Sequence, residues 1–154
     1  MNKPYFTRKQ GYPDPLRITV PCRVRFEETD PLGIVWHGRY PSYFEDGRVA
    51  HGDRYGMGYL ECYKNGIVTP IKKMHIDYHR PLKLMEQFTV ECILHWSDAL
   101  RIDYEFIIRG SDNEIATTGY TVQVVLDRDT NALLLVPPPF VKEFRAKWKA
   151  GTLK

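Results

Sequence analysis

Apolar and polar residues alternate with a period of two over several parts of the chain. Between Ile18 and Phe26 every second residue is apolar. The same alternation returns in four later stretches, at 74–78, 88–96, 102–108 and 120–126. This period is typical of strands with one buried face, and the short, turn-rich connections at 97–98 and 110–113 predict antiparallel hairpins. Pro21 cannot donate to a neighbouring strand, so the first strand is predicted to have an unpaired side or a local irregularity.

Between the first strand and the others the apolar period changes to that of a helix. The predicted buried stripe consists of Trp36, Tyr40, Tyr43, Phe44, Gly47, Ala50 and His51, and the predicted polar face of Glu45, Asp46, Arg48 and Asp53. Because proline is tolerated only in the first turn, Pro41 places the helix start between Trp36 and Tyr40. Gly47 and Gly52 weaken a helix, so we expect a sheet to approach closely there.

The order of elements predicts an α+β domain in which a strongly curved antiparallel sheet packs on one long central helix. Three prolines at 137–139 end the sheet, and Phe140 to Lys149 is predicted to form a short basic helix. We expect an N-terminal arm over 1–16, without assigned chemistry, and a single domain over 17–150.

Composition and charge exclude several classes of protein. The chain has 154 residues, 43% of them hydrophobic, and a formal net charge of +3, which is typical of one globular domain and too small for a generic nucleic-acid binder. No stretch approaches the roughly 18 apolar residues of a membrane span. The three cysteines lack the spacing of a disulfide framework or a metal site. We therefore expect a cytoplasmic protein with reduced thiols.

The segment from Glu28 to Tyr40 is the strongest candidate for chemistry, because it joins the first strand to the helix. A loop that enters a helix points unpaired amides and a partial positive charge at whatever lies there, which favours a carboxylate or a developing oxyanion. Asp30 supplies a carboxylate. The alternative interpretation of Asp30 is a turn residue before Pro31.

These residues resemble a known family. The run Asp30-Pro31-Leu32-Gly33-Ile34-Val35-Trp36-His37, followed by Tyr40 and Tyr43-Phe44-Glu45, is similar to the motif of the hotdog-fold acyl-CoA thioesterases. The resemblance is to the 4-hydroxybenzoyl-CoA thioesterase type, including the Tol-Pal-associated acyl-CoA thioester hydrolases. Residues 66–71 resemble the start of the family's second strand. The resemblance implies a hotdog fold and hydrolysis of an acyl-CoA thioester.

The resemblance also implies roles for individual residues. Asp30 would attack the thioester carbonyl as a nucleophile or direct water at it as a general base, and the amide of His37 would hold the oxyanion. The His37 side chain orients water or substrate, or has a structural role. Glu45 matches a helix carboxylate near the acyl group or the water, or else lies on a solvated face. Thr69 matches a residue that approaches the acyl pocket from the neighbouring subunit.

The remaining expectations concern ligands and assembly. Trp36, Gly38 and Tyr40 are expected to bind substrate, which is an aromatic or short-chain acyl-CoA. The resemblance implies no cofactor and a homo-oligomer, a dimer or tetramer, with sites between subunits. His75, Asp77 and His79 share one face of a strand, a geometry that a metal can use, but we expect no metal and interpret them as the polar face of a half-exposed sheet.

Three alternatives remain open. The hydratase branch of the same fold places its histidine and aspartate differently, and the Asp30 motif disfavours it. A non-catalytic binder of acyl-CoA or acyl carrier protein would keep the pocket without the chemistry. A nucleic-acid module is the weakest alternative, because the aromatic residues fall in core stripes rather than among lysines and arginines.

Overall fold

The predicted alternation forms one antiparallel sheet in the computed structural model, which describes residues 3–154. The elements in chain order are β1 Leu16–Arg23, α1 Tyr40–Tyr55, α2 Tyr59–Lys64, β2 Ile67–Val68, β3 Ile71–Tyr78, β4 Gln87–His95, β5 Arg101–Arg109, β6 Ile115–Val124, β7 Leu126–Asp127 and α3 Pro139–Lys149. The main sheet has the strand order β1-β4-β5-β6-β3, and β2 pairs with β7 in a separate two-stranded sheet. This is the hotdog arrangement that the sequence resemblance implied.

The hairpin predictions and the edge prediction are confirmed. β4 pairs with β5 and β5 with β6, both antiparallel, as their short connections require. β1 lies at one edge of the sheet, where β4 is its one neighbouring strand among the described residues. The missing N–H of Pro21 therefore disturbs no pairing with a second strand. β3 forms the opposite edge.

α1 packs on the sheet through its predicted apolar stripe. The Phe44 ring stacks on Phe106 of β5 with ring centroids 4.3 Å apart. A Cβ atom at Gly47 would lie 3.1 Å from Cβ of Cys92 on β4, so the predicted close approach of a sheet is confirmed there. At Gly52 the prediction is wrong, because the close neighbour is Gly58, in the connection between α1 and α2.

Two further predictions about element bounds need correction, and one element was not predicted. β1 ends at Arg23, and Phe26 lies in a 3₁₀ turn over Phe26–Glu28 with 79% of its surface exposed. Trp36 precedes the helix and is exposed. α2 was not predicted, because its six residues are too few to show a helical period.

The face of β6 that meets the helix differs from the predicted one. The pattern assigned Tyr120, Val122 and Val124 to the core, whereas the structure half-buries them on the other face. A row of small or polar residues lies under α1 instead: Thr117, Gly119, Thr121 and Gln123, all buried. The wide Phe44 ring fills the space above Gly119, and Gln123 bonds to Arg48 of α1.

The predicted N-terminal arm crosses the outer face of the sheet. Tyr5 and Phe6 both pack on Tyr120, with ring centroids 5.0 Å and 5.4 Å away. The Tyr5 hydroxyl donates to Asp77 and lies 2.8 Å from Oγ1 of Thr118. Residues 1 and 2 of the predicted arm are outside the described residues. Among the described residues, no helix combines the length and apolarity that crossing a membrane requires.

Candidate active site

Asp30 lies in a tight loop that the backbone fixes in place. Its N–H donates to the Ile34 carbonyl at 2.9 Å, and its carbonyl accepts from Gly33 at 3.0 Å. Gly33 has a φ of 74°, a left-handed conformation that favours glycine. One carboxylate oxygen, Oδ1, accepts from the Leu32 N–H at 2.8 Å. The turn role of Asp30 is therefore real, and it leaves Oδ2 without a hydrogen-bond donor within residues 3–154.

The same loop is fastened to the start of the helix. The Trp36 N–H donates to the Glu28 carbonyl at 2.9 Å, and the chain then makes a 3₁₀ turn over His37–Arg39 before α1 begins at Tyr40. The predicted helix start is confirmed. The first amides of a helical segment have no acceptor behind them. Consistent with this, the His37 and Gly38 N–H groups donate to no acceptor in the described part of the chain.

The Trp36 indole lies directly over Gly38. A side chain at Gly38 would overlap the Trp36 indole, whose Cε3 lies only 2.8 Å from the position of the added Cβ. The indole also packs beside the His37 ring, with centroids 5.1 Å apart. Trp36, His37 and Gly38 are all exposed and form one surface at the helix start.

Tyr40 and Tyr78 contact each other and connect this surface to β3. Tyr40 is buried, and burial raises the pKa of its phenol, so the hydroxyl is protonated at neutral pH. Its ring packs edge-on against Tyr78 of β3, with centroids 5.2 Å apart. The Tyr78 hydroxyl donates to the His37 carbonyl at 2.6 Å. The end of β3 thus holds the start of α1 in position.

Glu45 lies further along α1, about 7 to 8 Å beyond Tyr40 along the helix axis. Its carboxylate pairs with Arg48 on the next turn and accepts from the Tyr59 hydroxyl at 3.3 Å. Burial, together with the carboxylate of Glu45, raises the pKa of Tyr59 to about 12, so this hydroxyl remains a donor. Glu45 is therefore half-buried and paired rather than part of a fully solvated face.

Thr69 is connected to Glu45 through two residues that the sequence analysis did not select. Arg48 Nη1 donates to Oε1 of Gln123 at 3.1 Å. The Gln123 amide then donates to the Thr69 carbonyl and lies 3.2 Å from Thr69 Oγ1. Arg48 was predicted on the polar face of the helix and is instead buried. Its position three residues after Glu45 was the one available signal, since such pairs meet on a helix.

Three members of this hydrogen-bonded series, Arg48, Gln123 and Thr69, border a cavity of about 470 Å³. The cavity lies between the second half of α1, α2 and the strands β5 and β6. Its lining includes Arg48, Thr69 and Gln123 on the polar side and Met57, Ile102 and Tyr104 on the apolar side. Within the chain the predicted residues therefore form two groups, one at the helix start and one, Glu45 and Thr69, joined through Arg48 and Gln123 beside this cavity.

His75 and Asp77 lie on the outer face of β3, and His79 directly follows its end. His75 Nε2 is 2.9 Å from Asp77 Oδ2, and His79 Nε2 is 2.9 Å from Thr118 Oγ1. Tyr5 covers Asp77. These contacts account for the three side chains as a hydrogen-bonded surface beneath the arm, and they lie on the face opposite α1.

Comparison with known proteins identifies the family. A model described as the thioesterase-like superfamily matches residues 24–147. The chain belongs to this superfamily. It is 27% identical over 107 residues to the putative acyl-CoA thioesterase YneP of Bacillus subtilis, covering 70% of this chain and 78% of YneP. It is 20% identical to the acyl-CoA thioester hydrolase YbgC of Escherichia coli O157:H7, covering 81% and 93% of the two chains.

The thioesterase assignment also agrees with solved structures. The DHNA-CoA thioesterase of Staphylococcus aureus superposes with a TM-score of 0.77 at 26% identity, covering 87% of this chain and 91% of that one. The protein is a hotdog-fold thioesterase. The loop of Asp30 and the start of α1 both lie inside the matched region, as do the residues of the cavity.

Proposed function

We propose that the protein hydrolyses an acyl-CoA thioester, with an aromatic or short-chain acyl group, to the free acid and coenzyme A. The observation that carries this proposal is the composition of the segment before α1, which holds a carboxylate with one free oxygen, Asp30, and two amides without acceptors, those of His37 and Gly38. The reaction needs a group that attacks, or activates water, and a donor for the oxyanion. All three cysteines in the chain are free, which agrees with the cytoplasm as the site of the reaction.

Asp30 acts on the thioester carbonyl while the His37 N–H, with Gly38 behind it, binds the carbonyl oxygen. As general base, Asp30 takes a proton from water as the water oxygen bonds to the carbonyl carbon. As nucleophile, its oxygen forms that bond itself, giving an anhydride that water then hydrolyses. In both routes the carbon–sulfur bond breaks and the electron pair leaves with the coenzyme A thiolate. The interaction at the His37 amide strengthens as the oxygen becomes negative, which favours the transition state.

The complete site forms between two copies of the chain. β3 is a sheet edge with no strand on its outer side in the described residues, and Ile71 and Met74 on it are exposed. The helix start lies at the Tyr78 end of β3, and Thr69 precedes the Ile71 end. If two β3 edges pair antiparallel, the Ile71 end of one lies beside the Tyr78 end of the other. The cavity of one protomer thereby approaches the Asp30 loop of its partner.

The first experiment measures thiol release from a panel of aromatic and short-chain acyl-CoAs. We expect Asp30→Asn to lower kcat/KM at least about a hundredfold, the range for loss of a general base. Asp129→Asn is the matched control, because Asp129 is exposed and its carboxylate pairs, within residues 3–154, only with the adjacent Arg128. Full activity in Asp30→Asn would remove Asp30 from the mechanism, and acyl-CoA binding without turnover in the wild type would support the binding-protein alternative.

The second experiment tests whether the site is shared between subunits. Asp30→Asn and Glu45→Gln chains are co-expressed with different tags, and the mixed dimer is purified. If Glu45 of one chain and Asp30 of the other belong to the same site, one of the two sites in the mixed dimer contains both native residues. About half of the wild-type activity then returns. Activity no higher than that of the two parent variants would place both residues in one protomer's site.

A further inference from the structure

The carbonyl group of His37 lacks the donor that an α-helix normally supplies. In an α-helix each carbonyl accepts from the N–H four residues later, and the residue four positions after His37 is Pro41, which has no N–H. Proline suits this position, because it lies in the first turn of α1. Backbone carbonyls are obligatory acceptors, so the sequence leaves this one to be satisfied by another part of the fold.

The Tyr78 hydroxyl satisfies this carbonyl. It donates to the His37 oxygen at 2.6 Å, well within the range for a hydroxyl donor. Tyr78 is the last residue of β3, and its ring is held by the edge-on contact with Tyr40. Burial raises the pKa of the Tyr78 phenol, so the hydroxyl stays protonated and remains a donor at neutral pH.

This hydrogen bond acts on the next amide along the chain. The His37 carbonyl and the Gly38 N–H belong to one planar peptide unit, in which electrons are shared across the C–N bond. A donor at the carbonyl oxygen draws electron density away from the nitrogen, so the Gly38 N–H becomes a stronger donor itself. That N–H has no acceptor among residues 3–154. Tyr78 therefore strengthens a donor that the fold leaves free.

The surroundings of Gly38 favour a negative ligand at this donor. Acidic residues are stabilising in the first turn of a helix, yet the turn His37–Arg39 and the first turn of α1 contain none. The positive end of the helix is thus not neutralised by its own side chains. The Trp36 indole lies over Gly38 and keeps water from one side of the peptide, which strengthens hydrogen bonds made there.

We propose that Tyr78 polarises the His37–Gly38 peptide so that the Gly38 N–H serves as a second oxyanion donor beside that of His37. The proposal rests on the proposed function, because it adds a group to the same site. Tyr78 is a positioning residue, since it acts through Gly38 rather than on the substrate. A second donor stabilises the charge that develops on the thioester oxygen in the transition state.

The kinetic test replaces Tyr78 by phenylalanine, which keeps the ring and its contact with Tyr40. For the best thioester of the panel, kcat should fall about three- to tenfold with KM unchanged, because the interaction grows only as the oxygen becomes negative. The loss should stay below the roughly hundredfold that follows removal of a whole oxyanion donor. Tyr55→Phe is the matched control and should keep the wild-type kcat. The Tyr55 hydroxyl also donates to a backbone carbonyl, that of Arg17 at 3.0 Å, but from the far end of α1.

NMR spectroscopy of the labelled protein measures the polarisation apart from catalysis. In Tyr78→Phe, the His37 carbonyl carbon and the Gly38 amide nitrogen and proton should all move upfield, because the hydrogen bond at the carbonyl is lost. Phenylalanine keeps the aromatic ring, so ring-current shifts stay the same. The amide of Arg39, which donates to the Trp36 carbonyl at 2.9 Å, should not move. Shifts spread through α1 and β3 would mean that Tyr78 only supports the fold, which would overturn the proposal.

The outcomes separate this proposal from the proposed function. Hydrolysis that is lost in Asp30→Asn but unchanged in Tyr78→Phe would overturn the role of Tyr78 alone. A rise in KM with kcat unchanged would also overturn it, because Tyr78 would then affect binding rather than the transition state. A fall in kcat without a shift at Gly38 would exclude the peptide as the route. If the wild type hydrolyses no thioester of the panel, both proposals are overturned.

Discussion

His51 is a fully buried histidine with hydrogen-bond partners on both ring nitrogens. Nε2 lies 3.2 Å from the Leu16 carbonyl, and Nδ1 lies 3.2 Å from the Tyr104 hydroxyl. The carbonyl can only accept, so Nε2 carries the proton of the neutral ring and Nδ1 accepts from Tyr104. Burial lowers the pKa of His51 from 6.5 to about 4. A single side chain thereby couples the stability of the helix end to pH.

The sign of this coupling follows from the two pKa values. As pH falls below about 6.5, the unfolded chain binds a proton at His51 before the folded chain does, which favours unfolding. The loss begins near pH 6.5, is complete below about pH 4, and amounts to about 3 kcal/mol. Urea unfolding at pH 7.5 and 4.5 measures it. The side chain of the His51→Gln variant stays neutral. Between pH 7.5 and pH 4.5 its free energy of unfolding should therefore fall by about 2–3 kcal/mol less than that of the wild type. Equal falls in the two proteins would contradict the role assigned to His51.

At the scale of elements, the sheet and α1 were predictable because their patterns are long. Pro41 and the apolar stripe located the start of α1 correctly, and Asp30 and His37 followed from the motif that precedes it. β6 was misassigned because Thr, Gly and Gln look solvent-facing in a periodic pattern. Their burial comes from tertiary packing. The wide Phe44 ring requires a small residue, Gly119, beneath it, and Arg48 requires the acceptor that Gln123 provides. Arg48 and Gln123, which join Glu45 to Thr69 in the second half of the candidate site, depend on that face, so sequence alone did not reveal them.

Gly119 shows how closely α1 and β6 approach. A Cβ there would lie 2.7 Å from Cζ of Phe44 and would also meet the His75 carbonyl on β3. We expect Gly119→Ala to lower the free energy of unfolding by about 2–3 kcal/mol through overpacking, measured by urea denaturation. Gly58→Ala is the control: its φ is −74° and its nearest contact would be 3.6 Å. Similar stability of the two variants would mean that the helix and sheet can separate at no cost.

For the whole molecule, the two faces of the main sheet are covered by different elements. α1 and the candidate site occupy one face, and the N-terminal arm covers part of the other. Under the arm, His95 Nε2 lies 2.8 Å from Oε2 of Glu105, which is only 2% exposed. The Phe6 ring packs on His95 with centroids 5.2 Å apart. The arm therefore shields a buried polar pair from water.

The arm should therefore stabilise the fold rather than take part in hydrolysis. We expect Phe6→Ala to lower the free energy of unfolding by about 1–2 kcal/mol, because a half-buried ring packed on Tyr120 and His95 is lost. Phe26→Ala removes an equal side chain from an exposed position and should change it by less than about 0.5 kcal/mol. Urea denaturation of both variants gives the comparison. Equal effects would show that the arm leaves the sheet in solution, and the face opposite α1 would then be open to solvent.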